Sequence, residues 1–274
     1  MRIGGRDFDT ANGVYIMGIL NVTPDSFSDG GRWIRPEAAL KQAERMAREG
    51  AAIIDIGGES TRPGHTPVDA AEEARRVLPV IEAVKRETGL PVSVDTYKAE
   101  TARLALEAGA DLINDVWGLR YDLGEMARVI AGGGAACCLM HNRREAAYAD
   151  FMPELLADLR GTLDIADAAG IRREDIILDP GVGFGKTYGQ NLTALHRISE
   201  LKALGCPILL GASRKSVVGL TLGLPVEDRL AGTLATTAAG VLGGAAFIRA
   251  HDVRENLLVA EMALAIRREA GRGG

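Results

Sequence analysis

Short apolar runs recur along the whole chain, and longer segments with helically spaced apolar residues separate them. Each run is too short for an ordinary helix, and several are rich in β-branched residues, as in Ile53-Ile54 and Ile176-Ile177. Continuous apolar runs of this length are typical of strands buried in a parallel sheet. The runs begin near Tyr15, Ala52, Pro91, Leu112, Ala135, Ile176, Ile208 and Ala245.

The segments between these runs predict helices. The first opens with Pro36-Glu37, where proline suits the first turn and an acid stands beside it. The second spans residues 70–88 and is expected to kink or restart at Pro79. The other predicted helices span residues 101–108, 123–130, 153–169, 191–204, 229–242 and 254–268.

Strands alternating with helices in this way predict an α/β fold, a single-domain (β/α)8 TIM barrel over residues 1–274. An open doubly wound sheet is the alternative. The sequence shows no linker, internal repeat or low-complexity segment that would divide the chain.

Composition supports a packed chain. Glycine is abundant, with 34 in 274 residues against roughly 7% in average proteins, but apolar residues make up 47%. A disordered glycine-rich chain lacks such an apolar share, and no glycine recurs at every third residue as in collagen. The glycines therefore require a local explanation.

Charge and hydropathy argue against two kinds of partner, nucleic acids and membranes. The net charge is −5 and no block of Lys or Arg stands out, so we expect no nucleic-acid partner. Residues 230–248 carry no charge, but they are poor in Leu and Ile and Gly243-Gly244 interrupts them. We expect a helix, a glycine turn and a short strand there, and no membrane span.

The cysteines and histidines indicate neither disulfides nor zinc. Cys137, Cys138 and Cys206 form no Cys-x-x-Cys pair, so we expect reduced, buried thiols in a cytoplasmic protein. The N-terminus lacks the pattern of a signal peptide. The four histidines show no metal-ligand spacing.

Polar or charged side chains follow nearly every predicted strand, which is where barrels carry their chemistry. Helix caps would explain one or two of these positions, but not all of them. The groups lie at Asn21–Asp25, Asp55–Arg62, Asp95, Asn114-Asp115, His141, Asp179, Ser213–Ser216 and Arg249–His251.

These groups divide by their chemistry. Asp95, Asn114 and Asp179 can accept hydrogen bonds from a flat, nitrogen-rich ring. Ser216 stands at the start of a predicted helix, where backbone N–H groups favour an anion. Positive or donor groups suited to an anion such as phosphate are Arg62, Lys215, Arg249 and His251.

The glycine-rich segment 181–187 matches neither common nucleotide motif. A P-loop would need glycine where Pro180 stands, and a dinucleotide fingerprint would need its third glycine where Lys186 stands. We expect this segment to let a flat ligand approach the backbone.

Taken together, the strand ends resemble the dihydropteroate synthase family, pterin-binding enzymes of the folate pathway. Residues 17–31 are similar to the first signature of the family and residues 55–64 to its second. The resemblance spans most of the chain, from Met17 to Val253. Further matching motifs follow in order at residues 93–96, 113–115, 139–141, 179–186, 213–216 and 249–253.

The resemblance implies a TIM barrel and a reaction. Enzymes of this family join p-aminobenzoate to 6-hydroxymethyl-7,8-dihydropterin pyrophosphate, giving dihydropteroate and pyrophosphate with Mg²⁺. The resemblance also implies a homodimer. The catalytic residues would be Asp95, Lys215, Arg249 and His251.

The resemblance further assigns residues to each ligand. The pterin would meet Asp95, Asn114, Met140, Asp179, Phe184, Gly211 and Lys215. The pyrophosphate would meet Asn21, Arg249 and His251, with Asn21 also reaching Mg²⁺. The p-aminobenzoate would meet Thr61, Arg62, Pro63, Phe184, Lys215 and Ser216. The loops 21–33 and 57–67 are expected to be mobile and to close over the substrates.

Two alternatives stay open from the sequence. One is a methyltransferase that binds methyltetrahydrofolate and passes its methyl group to a corrinoid, although Thr61-Arg62 and residues 213–216 favour the synthase. The other is a non-catalytic paralogue that binds pterin without turnover. Against it stand the anion-binding residues Asn21, Arg62, Arg249 and His251.

Overall fold

A computed structural model describes residues 1–23, 36–59 and 67–270, and its centre is a parallel barrel of eight strands. A two-stranded hairpin precedes the barrel. The strands are β1 Arg2–Ile3, β2 Arg6–Asp7, β3 Tyr15–Asn21, β4 Ile53–Gly57, β5 Val92–Asp95, β6 Leu112–Asp115, β7 Ala136–Met140, β8 Ile176–Asp179, β9 Leu209–Leu210 and β10 Phe247–Ala250.

Helices on the outside of the barrel connect these strands. Short 3₁₀ helices are also present in the described residues, at Arg173–Asp175, Ile198–Leu204 and Val226–Asp228. The α-helices in the described residues are α1 Pro36–Arg48, α2 Ala70–Thr88, α3 Ala99–Glu107, α4 Glu125–Gly133, α5 Phe151–Ala169, α6 Tyr188–His196, α7 Ser216–Leu222, α8 Leu230–Gly243 and α9 Val253–Ala270.

The strands pair around the barrel in chain order. From β3 to β8 each strand pairs in parallel with the next, while β10 pairs with both β3 and β9. A single parallel bridge between Leu178 and Ile208 joins β8 to β9 and nearly closes the ring. The predicted α/β TIM-like barrel is therefore confirmed.

Alternation along each strand divides the buried residues into two groups. Outward side chains such as Ile54, Val94 and Leu139 pack in the large core beneath the helices. Inward side chains near the strand starts, such as Met17 and Leu112, form a separate cluster inside the barrel. Side chains alternate between faces with a period of two, so the next inward positions lie toward the carboxyl ends.

The N-terminal hairpin covers the amino end of the barrel. Gly4 and Gly5 form its two-residue turn with φ of 54° and 80°, as a type I′ turn requires. Phe8, which follows the hairpin, packs against Tyr15 with ring centres 4.8 Å apart and against Phe247 at 5.7 Å. This end of the barrel is therefore filled with side chains.

Most predicted elements are present, with few differences. Each barrel strand begins within two residues of its predicted start. Helix α2 is one continuous element through Pro79, which is exposed, so water can reach the carbonyl that lacks its helical donor. Residues 230–248 form α8, a glycine turn and the start of β10, as expected.

Three local features differ from the prediction or were not predicted. The helix expected at 191–204 starts earlier, at a capping box between Thr187 and Gln190, and changes to a 3₁₀ helix after His196. Only the start of helix α7, at Ser216, was predicted, and neither its extent nor the hairpin was, because these apolar segments are too short for a periodicity argument.

Candidate active site

The inward positions at the carboxyl end of the barrel are mostly polar, in contrast to the apolar cluster beneath them. Strand register places Gly57 beside Asp95, Asp95 beside Asn114, and Met140 beside Asp179. Asp115, next to Asn114, faces outward and accepts hydrogen bonds from the backbone of its own turn. We call the inward set the mouth layer: Asn21, Asp55, Gly57, Asp95, Asn114, Met140, Asp179, Gly211 and Arg249.

Arg249 joins two carboxylates in the mouth layer. Its Nε donates to Asp55 Oδ2 and its Nη2 to Asp95 Oδ2, each at 2.6 Å. Ser93 Oγ donates to the other oxygen of Asp55 at 2.5 Å. Asp55 is fully buried, and these partners compensate its loss of water.

Asp95 has one oxygen without a partner. Among the described residues, Asp95 Oδ1 is the one buried side-chain nitrogen or oxygen that makes no hydrogen bond. Burial raises the pKa of Asp95 to about 7, while the charge of Arg249 opposes that rise. A buried acceptor of this kind is suited to a donor supplied by a ligand.

Asp179 presents one oxygen to the mouth layer. Its Oδ1 accepts from the backbone N–H of Gly181 at 2.6 Å. A Cβ at Gly211 would lie 3.4 Å from its other oxygen and 3.8 Å from Arg249, so glycine leaves space beside the carboxylate. Burial raises the pKa of Asp179, and the nearby charge of Lys215 opposes the rise.

Lys215 lies against the glycine-rich turn after β8. Its Nζ donates to the carbonyl of Val182 at 2.5 Å and stands 4.6 Å from the ring centre of Phe184. Burial lowers the pKa of Lys215 to about 8, while the charge of Asp179 opposes that fall. The structure thus brings the predicted residues Asp179, Phe184 and Lys215 together.

The remaining described candidates surround this group. His251 Nδ1 and Ser213 Oγ are 3.0 Å apart, which links the ends of β10 and β9. Ser216 is exposed and is the first residue of α7, as predicted. Asn114 and Met140 are buried in the mouth layer. The candidates Thr61, Arg62 and Pro63, and most of the loops 21–33 and 57–67, lie outside the described residues.

Two side chains of the site were not assigned a role from the sequence. Asp55, which pairs with Arg249, interrupts the apolar run of β4, and a carboxylate inside such a run is a usable signal. Lys186 Nζ donates to Gly181 O and Phe184 O, both at 2.9 Å. Its position in a glycine-rich segment gave no indication of these contacts.

A magnesium ion would have to rely on few protein ligands here. Within the described ranges, no group of three or more His, Cys, Asp or Glu side chains is placed to hold a metal. Mg²⁺ often takes only one or two protein oxygens and completes its shell with water and substrate phosphates. Asn21 Oδ1 lies 3.6 Å from the position that a Cβ at Gly57 would take, so this amide oxygen faces the mouth layer and is one ligand of that kind.

The mouth layer combines acceptors buried deep in the barrel with cations beside them. Asp95, Asn114 and Asp179 can receive the N–H groups of a flat ring, and glycine at positions 57 and 211 leaves room for it. Arg249 and Lys215 provide positive charge at the same end of the strands. In the described part of the chain, no helix is long and apolar enough to cross a membrane.

Comparison with known proteins identifies the family to which the chain belongs. The model of a family described as pterin-binding enzymes matches residues 17–251. The chain is 52% identical over 263 residues to the dihydropteroate synthase of Clostridium beijerinckii, covering 96% of this chain and 97% of that protein.

Solved structures agree in fold. The chain is similar to a dihydropteroate synthase from Clostridium difficile, determined in the presence of pteroic acid, with a TM-score of 0.92, 51% identity, and coverage of 95% and 99% of the two chains. It also resembles the Xanthomonas albilineans enzyme with 4-aminobenzoic acid, with a TM-score of 0.89, 42% identity, and coverage of 94% of each chain. The chain belongs to the dihydropteroate synthase family of pterin-binding enzymes.

Proposed function

We propose that the mouth layer is the active site for the reaction of this family, in which p-aminobenzoate displaces pyrophosphate from 6-hydroxymethyl-7,8-dihydropterin pyrophosphate. The observation that carries the proposal is the unpartnered Oδ1 of Asp95, a buried residue that lies between Gly57 and Asn114 in the strand register. A buried acceptor without a donor is costly, and a nitrogen-rich ring supplies the missing donor.

The pterin lies flat across the mouth layer. Asp179 faces the amino-pyrimidine edge of the ring, since a carboxylate matches an adjacent ring N–H and amino group with two parallel bonds. Its Oδ2 is open beside Gly211, and Oδ1 keeps a second lone pair besides its bond to Gly181. Asn114 and Asp95 meet another edge, and Lys215 donates to the carbonyl side. Met140, Phe184 and Gly211 contact the faces of the ring.

The pyrophosphate leaves toward the cations at the rim. Arg249 and His251 stabilise negative charge that grows on the leaving group. Asn21 would hold Mg²⁺, which neutralises phosphate charge when it is bound. Arg249 is kept in place by Asp55 and Asp95, so its orientation does not depend on the substrate.

The second substrate needs little activation. An aryl amine is neutral at pH 7 and already nucleophilic, so no strong general base is required. Lys215, Ser216 and Phe184 border the place for p-aminobenzoate, together with Thr61, Arg62 and Pro63 from outside the described residues. Ser216 opens α7 and adds a hydroxyl there.

Departure of pyrophosphate precedes attack in the proposed mechanism. The electron-rich dihydropterin spreads the positive charge left on its methylene, and the carboxylate of Asp95 stabilises that charge. Positional isotope exchange without p-aminobenzoate tests this order. Oxygen scrambling is expected, and its absence with a freely rotating pyrophosphate would count against a dissociative step.

Product formation tests the function as a whole. Purified protein with Mg²⁺ and both substrates is expected to form dihydropteroate. Binding of the pterin pyrophosphate without product would favour a non-catalytic paralogue. Methyl transfer from methyltetrahydrofolate to a corrinoid, without condensation, would favour the methyltransferase. The domain assignment, one pterin-binding unit over residues 1–274, remains part of the proposal.

A homodimer is the proposed assembly, with α9 in the interface. Leu258, Met262 and Ile266 stand four residues apart on this helix, so they share one face, and all three are exposed. Leu242 of the adjacent α8 is also exposed. A contiguous apolar face of this kind is typical of an interaction surface.

Sedimentation of the parent protein and of Met262→Glu tests this interface. The parent is expected to be a dimer and the variant a monomer. Leu123→Glu, which changes an exposed leucine after β6, is the control and should leave the dimer intact. A monomeric parent at micromolar concentration would contradict the assembly.

The cytoplasm is the proposed location. Cys137, Cys138 and Cys206 are all free and buried, which suits a compartment that keeps thiols reduced. Fractionation of cells that produce the protein, with detection by antibody, would check this assignment.

A further inference from the structure

A lysine outside the proposed reacting groups lies where β7 meets the turn after β8. Lys186 Nζ is 2.9 Å from the carbonyl oxygens of Gly181 and Phe184. It is also 2.9 Å from His141 Nδ1 and 3.3 Å from His141 O. An ammonium group has three protons, so these four acceptors use its full capacity.

His141 connects this lysine to the barrel surface. Because Nδ1 accepts from Lys186, the ring proton is on Nε2, which donates to Asp158 Oδ2 at 3.1 Å. Burial and the charge of Lys186 lower the pKa of His141 to about 3, so the ring is neutral. Asp158 also accepts from Arg143 Nε at 2.7 Å.

The turn that Lys186 contacts supports the proposed pterin site. Gly181 donates to Asp179, and Val182 accepts from Lys215. The ring of Phe184 lies beside the ammonium group of Lys215. We call residues 181–184 the pterin turn.

The pterin turn also packs directly on β7. Gly181 has φ of 69°, and a Cβ there would collide with the carbonyl oxygen of His141. Side-chain packing therefore cannot hold the turn against β7 at this point. Lys186 bonds to the carbonyls on both sides of this contact.

We propose that Lys186 is a positioning residue for the reaction: held by His141 and Asp158, it fixes the pterin turn and thereby the placement of Asp179, Phe184 and Lys215. The proposal rests on the proposed function. Lys186 itself needs no contact with either substrate.

Substitution of two lysines separates positioning from stability. Lys186→Met removes the donors and keeps an apolar stem of similar length. The control is Lys85→Met. Lys85 is also a partly buried lysine with hydrogen bonds, in its case to the carboxylate of Asp111, but it lies near the hairpin end of the barrel. The measurements are kcat/KM for each substrate, the Kd of pteroic acid by calorimetry, and Tm.

The two variants are expected to differ in function and to resemble each other in stability. Lys186→Met should lose about 10- to 100-fold in kcat/KM and weaken pteroic acid binding, since small misplacements of reacting groups have effects of this size. Lys85→Met should stay within about twofold of the parent in both. Equal losses in the two variants, or a Lys186→Met enzyme within about threefold of the parent, would overturn the proposal.

A double-mutant cycle tests the route of the effect. If Lys186 acts through the pterin turn, Lys186→Met should lower kcat/KM less in a Phe184→Leu background than in the parent, because part of its target is already lost. Fully additive effects would contradict action through this turn.

A second pair covers the case in which Lys186→Met does not fold. Asp158→Asn weakens the far end of the connection, where the carboxylate is one-quarter exposed. Glu154→Gln is the control: Glu154 is the other carboxylate bonded to Arg143, but it makes no bond to His141. Asp158→Asn should lower kcat/KM by about 3- to 10-fold more than Glu154→Gln, and equal values would overturn the proposal.

The measurements also separate this proposal from the proposed function. If the parent forms no dihydropteroate, the proposed function fails. The Kd of pteroic acid for parent, Lys186→Met and Lys85→Met still decides whether Lys186 orders the pterin site.

Discussion

Arg249 donates from Nη2 to Oδ2 of Asp95 at 2.6 Å, while the other oxygen of the same carboxylate has no partner among the described residues. One oxygen is therefore occupied by the protein and the other is available to a ligand. This division makes Asp95 the residue whose protonation should control pterin binding.

Pterin binding should weaken in acid because Asp95 must be ionised to accept. Burial raises its pKa to about 7, so the ionised form predominates only above that pH. The affinity for pteroic acid is expected to fall as pH drops through about 7 and to level off above it. Calorimetry between about pH 5.5 and 8.5 measures this profile.

Asp95→Asn gives the matched test of that assignment. The variant should bind pteroic acid about 10- to 100-fold more weakly at pH 8, since a bond to a charged group is removed. Its affinity should also no longer fall as the pH drops through about 7. Asp111→Asn, at the hairpin end, is the control and should keep this pH dependence. An unchanged pH dependence in Asp95→Asn would assign it to another group.

Removing Asp55 should destabilise the protein strongly. Asp55→Ala leaves the Nε of the largely buried Arg249 unpaired, and breaking a buried pair in this way typically costs about 3–5 kcal/mol of unfolding free energy. Urea denaturation measures the loss. Arg103→Ala, which breaks an exposed pair with Glu100 and Glu107, should change little by comparison.

Lys215→Ala and Asp179→Ala should each abolish most turnover with the fold retained. Each removes a charged contact that the proposed transition state uses, and such losses commonly reach about 100-fold or more. Product formation and circular dichroism check the two halves of this expectation. Near-normal activity in either variant would refute the pocket assignment.

Gly211→Ala should obstruct the pterin without unfolding the barrel. The added methyl would fit at 3.4 Å from Asp179, but it would occupy the space assigned to the ring. Overpacking costs about 1–3 kcal/mol, so the Kd of pteroic acid should rise about tenfold with little change in Tm. Gly132→Ala, where a Cβ meets nothing within 4 Å, should leave the Kd unaltered.

Much of the fold, and which polar side chains lie at the carboxyl end of the barrel, could be predicted from local sequence. The apolar runs located the barrel strands, and the polar residues at their ends, among them Asp95, Asn114 and Asp179, indicated where the chemistry lies. The family resemblance named the ligands before any geometry was known.

Contacts between distant parts of the chain could not be predicted. Arg249 was assigned to pyrophosphate, but its pairing with Asp55 joins residues 194 apart and depends on β10 closing beside β3. The role proposed for Lys186 likewise depends on β7, a separate strand. Spacing within one motif contains no information about such neighbours.

The aromatic cluster of Phe8, Tyr15 and Phe247 closes the amino end of the barrel. A ligand of the mouth layer therefore has to enter and leave at the carboxyl end. Asp95 and Asp179 are buried, whereas Ser216 is exposed at the same end of the barrel. If the two substrates bind as proposed, we therefore expect the pterin to bind before p-aminobenzoate.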